Sequence, residues 1–176
     1  MLLNLASVSD LRFSSADGVF ELRAAGIIVR RPTSDPVDAQ VLMVTSTAND
    51  YAYSVGGAVE FGETVREAAA REIFEETGSP LQVGDLAAVE QLVFTEEGRV
   101  WHVVAYHYWV DVPDDFVPVE RFAEREGVSA TLRWLSAADL QQMTFYPACY
   151  ADALEARWDG VRYFIERDQR VTETGI

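Results

Sequence analysis

Cysteine is nearly absent: Cys149 stands alone in 176 residues, which excludes an intrachain disulfide and fits a reducing compartment. Its own reading is a small buried hydrophobe. No apolar run approaches the roughly 18 residues of a membrane span, and the opening Met-Leu-Leu-Asn-Leu lacks the basic residues of a signal peptide. A cytoplasmic protein is expected. Positive charge is scarce as well. Fourteen Lys and Arg face 29 Asp and Glu, and the formal net charge of −15 repels nucleic-acid backbones and anionic membranes. Long nucleic acid and membrane are therefore excluded as expected partners, and a small anionic substrate has to arrive partly neutralised by a metal ion. Arg23, Arg30, Arg31 and Arg71 are the local cations available to it, with Arg30 and Arg31 reading better as solvated surface. Internal repeats and linkers are missing too, so residues 1–176 read as one domain, long enough to bury about 70% of its unfolded surface.

What is present is concentrated between Gly57 and Ser79, GAVEFGETVREAAAREIFEETGS. Ser54, Val55, Gly56 and Gly57 cannot sustain a helix. From Val65 to Thr77 the chain has no Gly or Pro and many helix formers, with Thr64 opening the helix and Gly78 and Pro80 ending it. The helical period puts Val65, Ala68, Ala69 and Ile73 on one face and Ala70 and Phe74 on the other, which predicts cover on both sides. Glu72 and Glu76 fall within the first face and Glu75 flanks them. The negative pole of the helix opposes each anion near its C-terminus by about 0.3–1 kcal/mol. Arg71 can reach Glu75 or turn back to Glu63, which leaves Glu72 and Glu76 unpaired. A divalent cation reverses the sign of these terms, and carboxylates with a carbonyl from a Gly56-Gly57 turn are hard ligands suited to Mg²⁺ or Mn²⁺.

This stretch resembles the Nudix hydrolase signature, G-x5-E-x7-R-E-U-x-E-E-x-G-U with U an aliphatic residue. Gly57, Glu63, Arg71, Glu72, Ile73, Glu75, Glu76 and Gly78 stand at its fixed positions. Ser79 replaces the last aliphatic residue, with Leu81 available to supply the contact. Val55 stands where Pro is frequent. The resemblance implies an α/β fold, a Nudix-type α/β/α sandwich with a mixed sheet, and hydrolysis of a nucleoside diphosphate linked to another moiety. It implies Mg²⁺ or Mn²⁺ held by Gly57, Glu72, Glu75 and Glu76, with Glu72, Arg71 and Glu75 as catalytic residues, Arg71 and Glu63 fixing loop against helix, and Arg23 and Glu60 facing substrate. The general base is either Glu72 or a later loop acid among Glu96, Glu97, Glu124 and Glu126. Two other classes compete: a ligand sensor, which usually loses box acids, and an isomerase of isopentenyl diphosphate, which needs a pocket cysteine where Cys149 matches poorly.

Around the box, strands are expected at Phe20 to Val29, Val41 to Thr45, Val89 to Phe94, Val100 to Val112, Thr131 to Leu135 and Val161 to Ile165, the fourth following a turn at Glu96 to Arg99. His102 and His107 differ by an odd number and so face opposite sides of one strand, unable to share a metal. Met1 to Gly18 shows no period, and Pro113 to Gly127 reads as a long acidic loop. Short helices are expected from Ser136 to Gln142 and from Pro147 to Arg157. Tyr150, Leu154 and Trp158 form a stripe for core or for a homodimer contact. Phe20, Phe145 and Tyr146 are aromatic residues that either stack on a base or pack the core. The tail from Glu166 is expected to be loosely held.

Overall fold

A computed structural model describes residues 9–47, 50–96, 98–119, 122–125 and 128–167. The strands are β1 (Arg12–Ser14), β2 (Val19–Arg30), β3 (Gln40–Ser46), β4 (Tyr51–Ala58), β5 (Gln82–Glu96), β6 (Arg99–Asp111), β7 (Phe122–Arg125), β8 (Val128–Ser136), β9 (Thr144–Tyr146) and β10 (Arg162–Arg167). The helices are α1 (Val65–Thr77), α2 (Ala137–Leu140) and α3 (Tyr150–Glu155), with a 3-10 turn at Pro36–Asp38. One mixed sheet runs β10-β5-β6-β2-β4-β3-β8-β7, with β1 on β2 and β9 on β4. β2 with β6, β4 with β9, and β5 with β10 are parallel, and the other pairs are antiparallel.

Alternation along β2 sets the layers. Ile27 and Ile28 point to opposite faces of the sheet. Ile28 and Ala24 pack with Ala68, Ala69 and Ile73 of α1, whereas Ile27 packs with Tyr150, Ala153 and Leu154 of α3. The sheet thus lies between α1 and α3, the α/β arrangement expected. The stripe of Tyr150, Leu154 and Trp158 is core, at 0%, 4% and 9% exposure.

Several expectations need correction. Only one side of α1 is covered, because Phe74 is 52% exposed and Ala70 is exposed. Gly56 and Gly57 form no turn. They lie inside β4, opposite Ala25 and Ala24, since small residues on both strands let them pair closely. The segment after Pro113 is not all loop, because β7 pairs with β8. β1 interrupts the supposedly featureless start. Pro147 follows a cis peptide bond and α3 starts only at Tyr150. α2 is shorter than expected, but Ser136 and Asp139 do form a capping box. Glu166 and Arg167 are held in β10, while residues 168–176 lie outside the described ones.

Candidate active site

α1 is fixed at both ends by its own residues. Thr64 accepts from the Glu67 N–H at 3.3 Å and Glu67 accepts from the Thr64 N–H at 2.8 Å, a reciprocal cap. Gly78, at φ 71°, adopts the left-handed conformation that ends the helix, and its N–H donates to Phe74 O at 2.8 Å. Between those ends the apolar side of the helix is pressed on β2 and β4, so Glu72 and Glu76, one turn apart, project toward the double glycine of β4. A Cβ on Gly57 would fall 2.3 Å from Glu72 Cδ and Oε1, so the carboxylate fills the space that glycine leaves open. Glu76 Oε2 accepts from the Gly56 N–H at 3.0 Å.

Arg71 joins the pieces. Its Nη2 and Nε donate to the two oxygens of Glu63 at 2.7 and 3.2 Å, a bidentate pair, and Nη2 also donates to Ala58 O at 3.0 Å. Nη1 reaches Glu72 Oε1 at 2.7 Å and Glu75 Oε2 at 3.5 Å. Glu72 is therefore paired, contrary to the sequence-based expectation. The choice between Glu63 and Glu75 does not arise either, because the planar guanidinium serves both. Its bonds to Glu63 foremost, then to Glu72, hold Arg71 well above the ordinary arginine range. Burial pushes the Glu72 carboxyl up, and the Arg71 bond only partly offsets that. Glu63 goes the other way: burial opposes its charge, but Arg71 and the Glu60 N–H, 2.7 Å from Oε1, hold it below the usual range.

Glu60 is placed by that backbone bond and by a β-bridge to Asp10. Arg23 donates to Gly56 O and, at 3.5 Å, to Ser54 O, and stands 3.7 Å from Glu21. Glu21 was missed in the sequence, although its spacing of two from Arg23 on a strand was the available signal. Arg30 and Arg31 lie at the far end of β2, bonded to Gln40 and to the last carbonyls of α3.

Of the later acids, Glu96 is remote from the box. Arg23 is level with Ala105 and Glu96 with Arg99, six residues along β6, or about 20 Å at ~3.3 Å per residue. Glu124 lies in β7, and Glu97 and Glu126 lie outside the described residues. The segment leading to β7 passes over the end of α1, where the Val119 N–H donates to Thr77 O at 3.4 Å.

The histidines separate as expected. His102 is exposed beside Phe20, whereas His107 is 1% exposed between Glu90 and Tyr150, each 3.1 Å away. Phe145 packs on the α3-side core and Tyr146 meets Tyr51 edge-on, which leaves Phe20, 40% exposed, as the more open of the three aromatic candidates. Cys149 is buried in that same core, across the sheet from α1, and burial foremost pushes its thiol up. It cannot act beside the box acids. Leu81 packs against the α1-side core, as the replacement at Ser79 required.

Among the described residues no three His, Cys, Asp or Glu side chains already converge as a metal cage, since Arg71 draws on Glu72 and Glu75 while Glu76 bonds Gly56. The donor chemistry nevertheless fits a hard divalent ion. Glu63, Glu72, Glu75 and Glu76 outnumber Arg71 and Arg23, and Arg23 is shared with Glu21, so the cluster carries an excess of negative charge.

Solved structures with the same fold include the MutT protein of Bacillus halodurans, 17% identical over 83% of this chain and 90% of that one, with a TM-score of 0.56. A MutT NUDIX hydrolase of Burkholderia pseudomallei is 24% identical over 77% and 96%, with a TM-score of 0.55. An Ap4A hydrolase of C. elegans is 19% identical over 76% and 87%, with a TM-score of 0.52. No curated protein matches. The family profile described as NUDIX domain matches residues 21–155, most of the chain and all of the site, and the chain belongs to that family of pyrophosphohydrolases.

Proposed function

We propose that the protein hydrolyses the pyrophosphate of a nucleoside diphosphate linked to another moiety, using Mg²⁺ or Mn²⁺ held by Glu72, Glu75, Glu76 and the Gly57 carbonyl. The observation that carries this reading is the meeting of Glu72 and Glu76 at the double glycine of β4, with a bidentate Arg71–Glu63 pair locking the loop to the helix. A divalent ion bound there supplies neutralisation of phosphoryl charge and a lowered pKa for water. Glu72, one turn from both Glu75 and Glu76, takes the proton of the attacking water. Arg71 orients Glu72 and Glu75 and prevents the carboxylates from repelling one another apart. Arg23 and Glu60 border the substrate, Arg23 adding positive charge for the phosphates in a molecule whose overall field repels them.

The test is a panel of nucleoside diphosphate sugars, dinucleoside polyphosphates and nucleoside triphosphates incubated with Mg²⁺ or Mn²⁺, with products separated chromatographically. Release of a nucleoside monophosphate or of inorganic pyrophosphate, dependent on the ion, is expected for at least one class. No cleavage of any class under either ion refutes the reading.

A further inference from the structure

Glu21 is 4% exposed and shares a face of β2 with Arg23. A buried carboxylate is costly unless paired, and this one is bracketed by two guanidiniums. Its Oε2 accepts from Arg12 Nε at 2.5 Å, and its Oε1 lies 3.7 Å from Arg23 Nη1. Arg12 is the outer partner, with a side chain 42% exposed and shared with Asp10 at 3.5 Å. Arg23 is the inner one, and it also donates to the Gly56 and Ser54 carbonyls of the strand that presents Gly57. Burial opposes its charge, but Glu21 first, then Glu76 and Glu72, outweigh that and hold it above the ordinary arginine range. Gly56 joins the two sides: its carbonyl accepts from Arg23, and its N–H donates to Glu76 Oε2 at 3.0 Å, so Arg23 lies one peptide group from an acid of α1.

We propose that Glu21 is a positioning residue of the site, holding Arg23 against the Gly56 carbonyl and away from Glu72 and Glu76, so that those carboxylates remain available to the divalent ion. The inference rests on the metal-binding reading above. Without the charge of Glu21, the described acids whose charge still acts on Arg23 are Glu76 and Glu72, and the guanidinium moves to them and competes with the cation.

Mn²⁺ binding to the full chain without substrate, read from the electron paramagnetic resonance signal of free ion, separates the possibilities. Glu21→Gln should weaken binding about tenfold, and the same change in an Arg23→Gln background should cost less than about twofold, because the competitor is gone. Equal weakening in both backgrounds would mean that Glu21 acts only as one more negative charge, and no weakening in either would mean that it does not act at all. Both results overturn the proposal. Should Glu21→Gln fail to fold, Arg12→Gln serves, since it leaves Glu21 entirely to Arg23. Binding tighter than wild type is then expected, and unchanged or weaker binding overturns the proposal. Glu76→Gln is the control: if it leaves Mn²⁺ binding intact, the metal site itself is misplaced, whereas a loss there with none in Glu21→Gln condemns only the role of Glu21.

Discussion

Glu72→Gln is expected to lower kcat by about 10²–10⁴-fold with little change in KM, the loss typical of a positioned base. The amide is nearly isosteric, so it still fills the space above Gly57 and can still accept from Arg71. What it loses is the ability to take a proton, together with one negative charge of the metal-binding set, so the comparison is made at saturating Mg²⁺. Loss of binding common to ground and transition states would raise KM instead. The fold has little reason to change, because the apolar contacts of α1 come from Ala68, Ala69 and Ile73. Glu96→Gln, at the far end of the β5–β6 hairpin, should leave the rate within about twofold of wild type, as a surface change remote from the chemistry. Steady-state kinetics on the best substrate of the panel decides. A full rate in Glu72→Gln places the base elsewhere.

Gly57→Ala should cost about 10²-fold in kcat/KM while the protein stays folded, since a misplacement of about 1 Å in a reacting group is worth that much. The added methyl would meet Glu72 Oε2 at 2.4 Å and its other carboxylate atoms at 2.3 Å. Those atoms end a flexible side chain, so they swing aside, and the stability cost should stay below the ~1–3 kcal/mol of an overpacked core. The neighbouring glycine behaves in the opposite way. At Gly56, with φ +142°, a Cβ would meet Ala24 O at 2.3 Å and Ala25 Cα at 2.6 Å, both backbone that cannot move without separating β4 from β2. Gly56→Ala is expected to destabilise by about 3 kcal/mol or more, from strained backbone and overpacking together. Thermal unfolding and kinetics on the two variants should therefore dissociate. An active, fully stable Gly57→Ala would show that the Glu72 carboxylate need not sit where it does.

The bounds of α1 were readable because local chemistry sets them: Thr64, Glu67 and Gly78 act within a turn of their own positions. The order of strands was readable from apolar runs. Spacing gave Glu63 and Glu75 as partners of Arg71, but not Glu72, because Ala58 O, delivered by β4, aims the guanidinium so that all three acids fall within reach. Paired glycines suggested a turn, and only the opposing Ala24 and Ala25 make them strand. Phe74 was placed against a second layer by its apolarity alone, although one-sided cover suffices for a helix lying on the face of a sheet. Glu21 was passed over because its spacing of two from Arg23 carries little weight without Arg12, which only the pairing of β1 with β2 brings to it.

The central claim is that the acids of α1 hold a divalent ion at the double glycine. Titration of Mn²⁺ into the wild-type chain and into Glu76→Gln, by calorimetry with unfolding curves in parallel, tests it most directly. The account predicts saturable binding to the wild type and affinity at least about tenfold weaker in the variant, at equal stability, since one charged ligand of the set is gone. Equal affinity in the two proteins would contradict it.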